Sequence, residues 1–180
     1  DETCEAYLKG RSRREWKKYE ADPDAEYERT IPIDLDTLVP TVSWPHLPEP
    51  THPAAEGGDI KIDQVVIGSC TNGRIEDMEA AYNILKGRHI ADGGRGIILP
   101  ATMEVYRTCI ARGYTTAFVD AGCMVSTPTC GPCLGGYMGI LAEGERCVYA
   151  TNRNIVGRMG HVNSEIYLAR PATAAASALT

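Results

Sequence analysis

The chain has 180 residues, 43% hydrophobic and 23% charged, which suits one compact domain with an attached arm and excludes disorder over most of its length. No apolar run approaches the roughly 20 residues needed to span a bilayer, and a net charge of −6 argues against nucleic-acid binding driven by bulk charge. Neither a membrane nor a nucleic acid is therefore expected as a partner. The charge is uneven: residues 1–59 hold 7 Lys/Arg against 14 Asp/Glu, whereas residues 60–180 hold 11 against 10, so anion chemistry is expected in the second part. The chain begins with Asp1 rather than Met, shows no basic, apolar leader, and is expected to be a piece of something longer.

In chain order, Glu2–Lys9 and Arg14–Tyr19 read as short charged helices, and residues 29–39 alternate as an edge strand would. Seven of the eleven prolines precede residue 60, and Pro45, Pro48, Pro50 and Pro53 make residues 45–58 read as an extended linker. Residues 1–58 are thus expected as an N-terminal arm and Pro-rich linker, and 59–180 as an α/β domain. From Ile60 the pattern changes. Residues 60–68 (IKIDQVVIG) are β-branched and apolar, a buried strand. Residues 75–86 place Ile75, Met78, Tyr82 and Leu85 on one helical face, with Gly87 past the end. Residues 96–100 are predicted as a strand, 102–112 as a helix, and 115–122 (TTAFVDAG), 146–151 (RCVYAT) and 165–169 (EIYLA) as further strands. An alanine-rich helix begins at Pro171. Alternating strands and helices predict an α/β three-layer sandwich with a mainly parallel sheet. There is no internal repeat.

Seven cysteines, an odd number at modest density, favour a reduced, cytoplasmic compartment, where cysteine clusters do metal or redox work. Cys70 sits in GSCTNGR, at a strand end before a helix, and Cys130 and Cys133 form C-G-P-C within STPTCGPCLGG. Strand ends of an open α/β sheet are where ligand sites form. The C-x-x-C pair alone allows zinc, a redox dithiol or an iron–sulfur ligand pair. No regular helix follows it, as a thioredoxin-type dithiol would require. A structural zinc lacks a fourth ligand, since only His89 lies between Cys70 and Cys133. Three soft ligands without a fourth suit an iron–sulfur cluster with one open iron. Cys109 and Cys147 read as core, Cys4 belongs to the arm, and nothing specific marks Cys123. A second motif, TNRNIVGR (151–158), packs Asn152, Arg153, Asn154 and Arg158 into one loop, where arginines can clamp carboxylates.

Together, GSCTNGR, STPTCGPCLGG, NRNIVGR and YLARPATAAASAL, in this order, resemble the aconitase superfamily, in the branch of isopropylmalate dehydratase and homoaconitase large subunits. The segment VSWPHLPEPTHP resembles that branch's linker. The similarity covers nearly the whole chain and points to the C-terminal part of such a subunit. It implies a 4Fe-4S cluster held by Cys70, Cys130 and Cys133, with a fourth iron free to bind substrate. It implies that Asn72 and Asn152 line the cluster and that Arg153 and Arg158 bind substrate carboxylates. The implied reaction is a hydro-lyase isomerisation of a di- or tricarboxylate 2-hydroxy acid, 2-isopropylmalate to 3-isopropylmalate in leucine biosynthesis. Homoaconitase and dimethylmalate dehydratase remain as alternatives, and a non-enzymatic metal-stabilised or RNA-binding module as one of another class. Arg170 and Ile155 depart from the family's usual Ser and Phe. The family's N-terminal Asp/His motifs are not in these residues, nor is the swivelling domain with its serine base. A small subunit carrying that domain and the N-terminal part of the large subunit are therefore implied partners, and the chain alone is expected to be inactive.

Overall fold

A computed structural model describes all 180 residues and divides them into two units, Asp1–Thr37 and Leu38–Thr180. In the first unit, α1 (Glu2–Leu8) is capped by the Asp1 carboxylate, which accepts from the Cys4 backbone N–H at 2.9 Å. The second expected helix does not form, because residues 15–19 have no regular structure. Lys18 instead bridges Glu5 at 2.8 Å and Glu20 at 2.9 Å. The edge strand expected over 29–39 is also absent. Pro32 removes a ladder donor, and the Asp34 side chain accepts from the Asp36 N–H at 3.0 Å, turning the chain into a 3₁₀ turn at Leu35–Thr37. Ile31 and Ile33 consequently remain 65% and 69% exposed.

The second unit begins earlier than residue 59. The stretch read as linker contains a hairpin, β1 (Thr41–Ser43) and β2 (Thr51–Pro53), followed by a 3₁₀ turn at Ala54–Gly57. β1 pairs antiparallel with β7 (Glu165–Ala169), Val42 opposite Ala169. Pro45, Pro48 and Pro50 occupy the connection, and Pro53 lies on the outermost strand, where a missing N–H is tolerated.

The sheet runs β2-β1-β7-β6-β3-β4-β5, with β3 (Gln64–Gly68), β4 (Arg95–Leu99), β5 (Cys123–Val125), β6 (Arg146–Tyr149) and β7 mutually parallel. Side chains alternate between its faces. Val65, Ile67, Ile98, Val148 and Tyr167 meet the helical layer, where Met78, Leu85, Phe118, Ala174 and Ala175 are buried. That layer comprises α3 (Ile75–Leu85), α4 (Met103–Ala111), α5 (Tyr114–Asp120) and α6 (Pro171–Ser177). Val66, Ile97, Leu99, Cys147, Tyr149 and Ile166 face the other way, under Cys133, Leu141 and Met159. That outer layer is built from loops and one 3₁₀ turn rather than helices.

The α/β class and the parallel sheet agree with expectation, but residues 115–122 do not form a strand. Tyr114 and Phe118, one helical turn apart, are both buried, so the segment follows a helical period, and the strand starts only at Cys123. Tyr114 stacks on Tyr82 with centroids 4.3 Å apart, and its hydroxyl donates to Glu79 Oε1 at 3.1 Å. The β-branched Thr115, Thr116 and Val119 obscure this period in the sequence.

Candidate active site

Two cysteine segments meet at the carboxyl end of β4. After β3 the chain turns sharply at Gly68 (φ 113°) and Ser69 (φ 64°) into the one-turn helix α2 (Ser69–Asn72), which carries Cys70. A Cβ at Gly68 would run into the Leu99 carbonyl. Gly131, between Cys130 and Cys133, also has positive φ, and a Cβ there would press into the Leu99 side chain. Both segments therefore approach Leu99 more closely than a side chain permits. Ser69 Oγ donates to the Cys130 carbonyl at 3.5 Å, a long contact that ties the two segments directly. Cys130 and Cys133 stand on one 3₁₀ turn, closed by the Cys133 N–H to the Cys130 carbonyl at 3.2 Å. Cys70 and Cys130 are exposed, and Cys133 is 8% exposed.

The third segment follows β6. Asn72 Nδ2 donates to the Ala150 carbonyl at 2.8 Å, joining the first cysteine segment to the 151–158 loop. Within that loop Asn152 and Arg153 are exposed. Asn154 is fully buried, and its Nδ2 donates to the Trp44 and Leu47 carbonyls at 2.9 and 3.1 Å. It is a fastener between loop and hairpin, a role invisible in the sequence because its partners lie more than a hundred residues away. Arg158 is half-buried. Its Nη2 donates to Cys133 Sγ at 3.6 Å, and its Nε is buried without a partner. Of the residues singled out in the sequence, Cys70, Asn72, Cys130, Cys133 and Arg158 are thus linked through their segments, while Asn152 and Arg153 lie on the loop's open side.

No three His, Cys, Asp or Glu side chains converge tightly enough to hold a single metal ion. A four-iron cluster is a larger body, and the donor set fits it: two accessible thiols, a third beside a guanidinium, and no fourth protein ligand. The remaining sheet-domain cysteines differ. Burial pushes the Cys109 and Cys123 thiols up to about 11 and Cys147 to about 12, so they stay protonated. Tyr149 and Thr151, which sequence reading assigned to a strand, also belong to the site. Their hydroxyls are buried beneath the cysteine loop without partners. The period-2 pattern of RCVYAT does put Tyr149 opposite Val148, the only signal of its facing. A cavity of about 310 Å³ between the hairpin and α6 is lined by Trp44, Ile60, Ile62 and Tyr167, with no Cys, His or Arg, and so offers apolar shape without chemistry.

Residues 51–180 match the Aconitase family (aconitate hydratase). The chain belongs to the aconitase family. It is 61% identical over 180 residues to the 3-isopropylmalate dehydratase large subunit of Clostridium beijerinckii, covering 100% of this chain and 43% of the relative. The protein of the same name from Thermoanaerobacter pseudethanolicus is 61% identical over 179 residues, and that from Helicobacter hepaticus 59% over 179, each covering 99% of this chain and 43% of the relative. This aconitase-family chain therefore spans less than half the length of the curated relatives it matches. The similarity to these relatives runs along the whole chain and includes the four motifs.

Proposed function

We propose that this chain is the cluster-bearing part of the large subunit of a 4Fe-4S hydro-lyase that interconverts 2-isopropylmalate and 3-isopropylmalate by dehydration and rehydration, a reaction of leucine biosynthesis. The observation that carries the reading is 61% identity, along the entire chain, to a protein named for that dehydratase. Cys70, Cys130 and Cys133 would hold the cluster, which supplies, when bound, a Lewis-acidic iron for the departing hydroxyl. Asn72 spends one amide N–H on the Ala150 carbonyl and has a second to offer a sulfur; Asn152, exposed on the 151–158 loop, would help line the cluster. Arg153 and Arg158 would clamp the substrate carboxylates, Arg158 from the flank of Cys133. The proton on the neighbouring carbon goes to a base that these residues do not supply, and a small subunit with a swivelling domain would bring it. The N-terminal part of the large subunit would complete the pocket. We place the enzyme in the cytoplasm; no helix is long and apolar enough to cross a membrane.

The test is to prepare the full-length large subunit with its small partner without oxygen. Roughly four iron and four sulfide per large subunit, a broad visible absorption, and formation of 3-isopropylmalate from 2-isopropylmalate are expected. Cys70→Ser should remove the iron. A protein that takes up no iron under these conditions, or that loads fully and leaves both isopropylmalates untouched, would overturn the reading.

A further inference from the structure

Three polar atoms are sealed beneath the cysteine loop without a hydrogen-bond partner: Tyr149 Oη, Thr151 Oγ1 and Arg158 Nε. Folded proteins pair nearly all their buried polar groups, so a cluster of unpaired ones calls for an explanation in chemistry. Tyr149 is fully buried on the face of β6 that packs against Cys133, and its hydroxyl faces the Cys133 sulfur and the Thr151 hydroxyl without closing a bond to either. Arg158 reaches the same sulfur from the neighbouring loop.

A neutral thiol is a weak acceptor, so the Tyr149 hydroxyl gains little from Cys133 in that form. A thiolate is a strong one, because hydrogen bonds to ionised groups are shorter and roughly twice as strong. Cys133 is also the most shielded of the three candidate ligands, and there water competes least for its sulfur. We infer that Tyr149 is the hydrogen-bond donor to the Cys133 thiolate when that sulfur ligates the cluster, and that it thereby raises the cluster's reduction potential. The inference rests on the hydro-lyase reading above. Tyr149 is a positioning residue, acting on the cluster only through Cys133. The physical basis is that reduction adds negative charge to the cluster, and a donor on a ligand sulfur stabilises the more negative state. Thr151 is the competing acceptor, and if it accepts the Tyr149 hydrogen bond the sulfur gains nothing.

The experiment is an EPR-monitored redox titration of the full-length large subunit with its small partner, loaded anaerobically. Tyr149→Phe removes the hydroxyl and keeps the ring; its potential should shift negative at unchanged iron and sulfide content. Replacing Tyr149 by 3-fluorotyrosine, a stronger donor of similar shape, should shift the potential positive. Opposite shifts support the inference. Wild-type potentials in both, or shifts of the same sign, overturn it while leaving the hydro-lyase reading intact. If Tyr149→Phe does not fold, the fluorotyrosine protein decides alone: a positive shift supports the inference and none overturns it. A wild-type protein that takes up no cluster overturns both.

Discussion

Arg158 Nη2 lies 3.6 Å from Cys133 Sγ, although the two residues belong to loops on different strands. The guanidinium therefore stands at the boundary between the buried cysteine turn and the open side of the 151–158 loop. Lysine keeps the charge there but not the fork that engages a carboxylate with two parallel hydrogen bonds. In the full-length enzyme, Arg158→Lys is expected to lower kcat/KM by roughly one to three orders of magnitude, at about 1.4 kcal/mol per tenfold. Iron content should stay at the wild-type level. Steady-state kinetics with iron analysis checks this; normal turnover would show that Arg158 serves the fold alone.

Gly68 admits no side chain, for two independent reasons. Its φ of 113° and ψ of −126° are closed to ordinary L-residues, and a Cβ would collide with the backbone of Leu99. Gly68→Ala should destabilise the sheet domain by about 2–4 kcal/mol, the range of a backbone clash at a strained position. Denaturant unfolding of this chain measures it. Gly87→Ala is the control: it also has positive φ (70°) but nothing within contact of an added Cβ, and it should lose only about 1 kcal/mol.

The cysteines should separate sharply by reactivity. Without a cluster, iodoacetamide at pH 8 is expected to modify Cys4, Cys70 and Cys130, which are exposed, within minutes. Cys109, Cys123 and Cys147 are shielded and have raised pKa values, so they should react only after denaturation. Cys133, shielded but close to the surface turn, should fall between. Peptide mass spectrometry over a time course resolves the order. Early modification of Cys147 would contradict the packing of β6.

Much of this was legible in the sequence wherever a pattern was strong and local. EIYLA matched β7 residue for residue, and the periodicity of residues 75–86 gave α3 to within a residue. The cysteine and Asn/Arg motifs drew notice by their spacing, their order and their place after strands, and they read as one site only through the family resemblance. What escaped was decided by distant partners. Thr41–Ser43 becomes a strand because β7 offers an open edge, and Phe118 turns inward because α3 and the sheet bury it. Tyr149 read only as part of a strand, since nothing in RCVYAT indicates that its hydroxyl stops beside a cysteine loop.

Arg95 at the start of β4 grips Glu145 with two hydrogen bonds of 2.8 Å, and the same carboxylate accepts the Ala142 N–H at 2.8 Å. Arg95 Nε also donates to the buried Gln64, whose amide donates to the Gly139 carbonyl, so the pair anchors the loop layer to the sheet. The Arg95 hydrogen bonds, outweighing partial burial, hold the Glu145 carboxyl below its ordinary value of 4.5. A carboxylate with a lowered folded-state pKa binds fewer protons folded than unfolded, so its stabilisation is complete above the unfolded value and is lost as pH falls through the folded one. The pair is partly exposed, so solvent screening limits its worth to about 1 kcal/mol. Glu145→Gln should therefore destabilise the chain by about that amount at pH 7 and at pH 6, with the gap to wild type closing below pH 4.5. Urea unfolding across this range tests it. A gap independent of pH would mean that Glu145 acts by shape and neutral hydrogen bonding, not by charge.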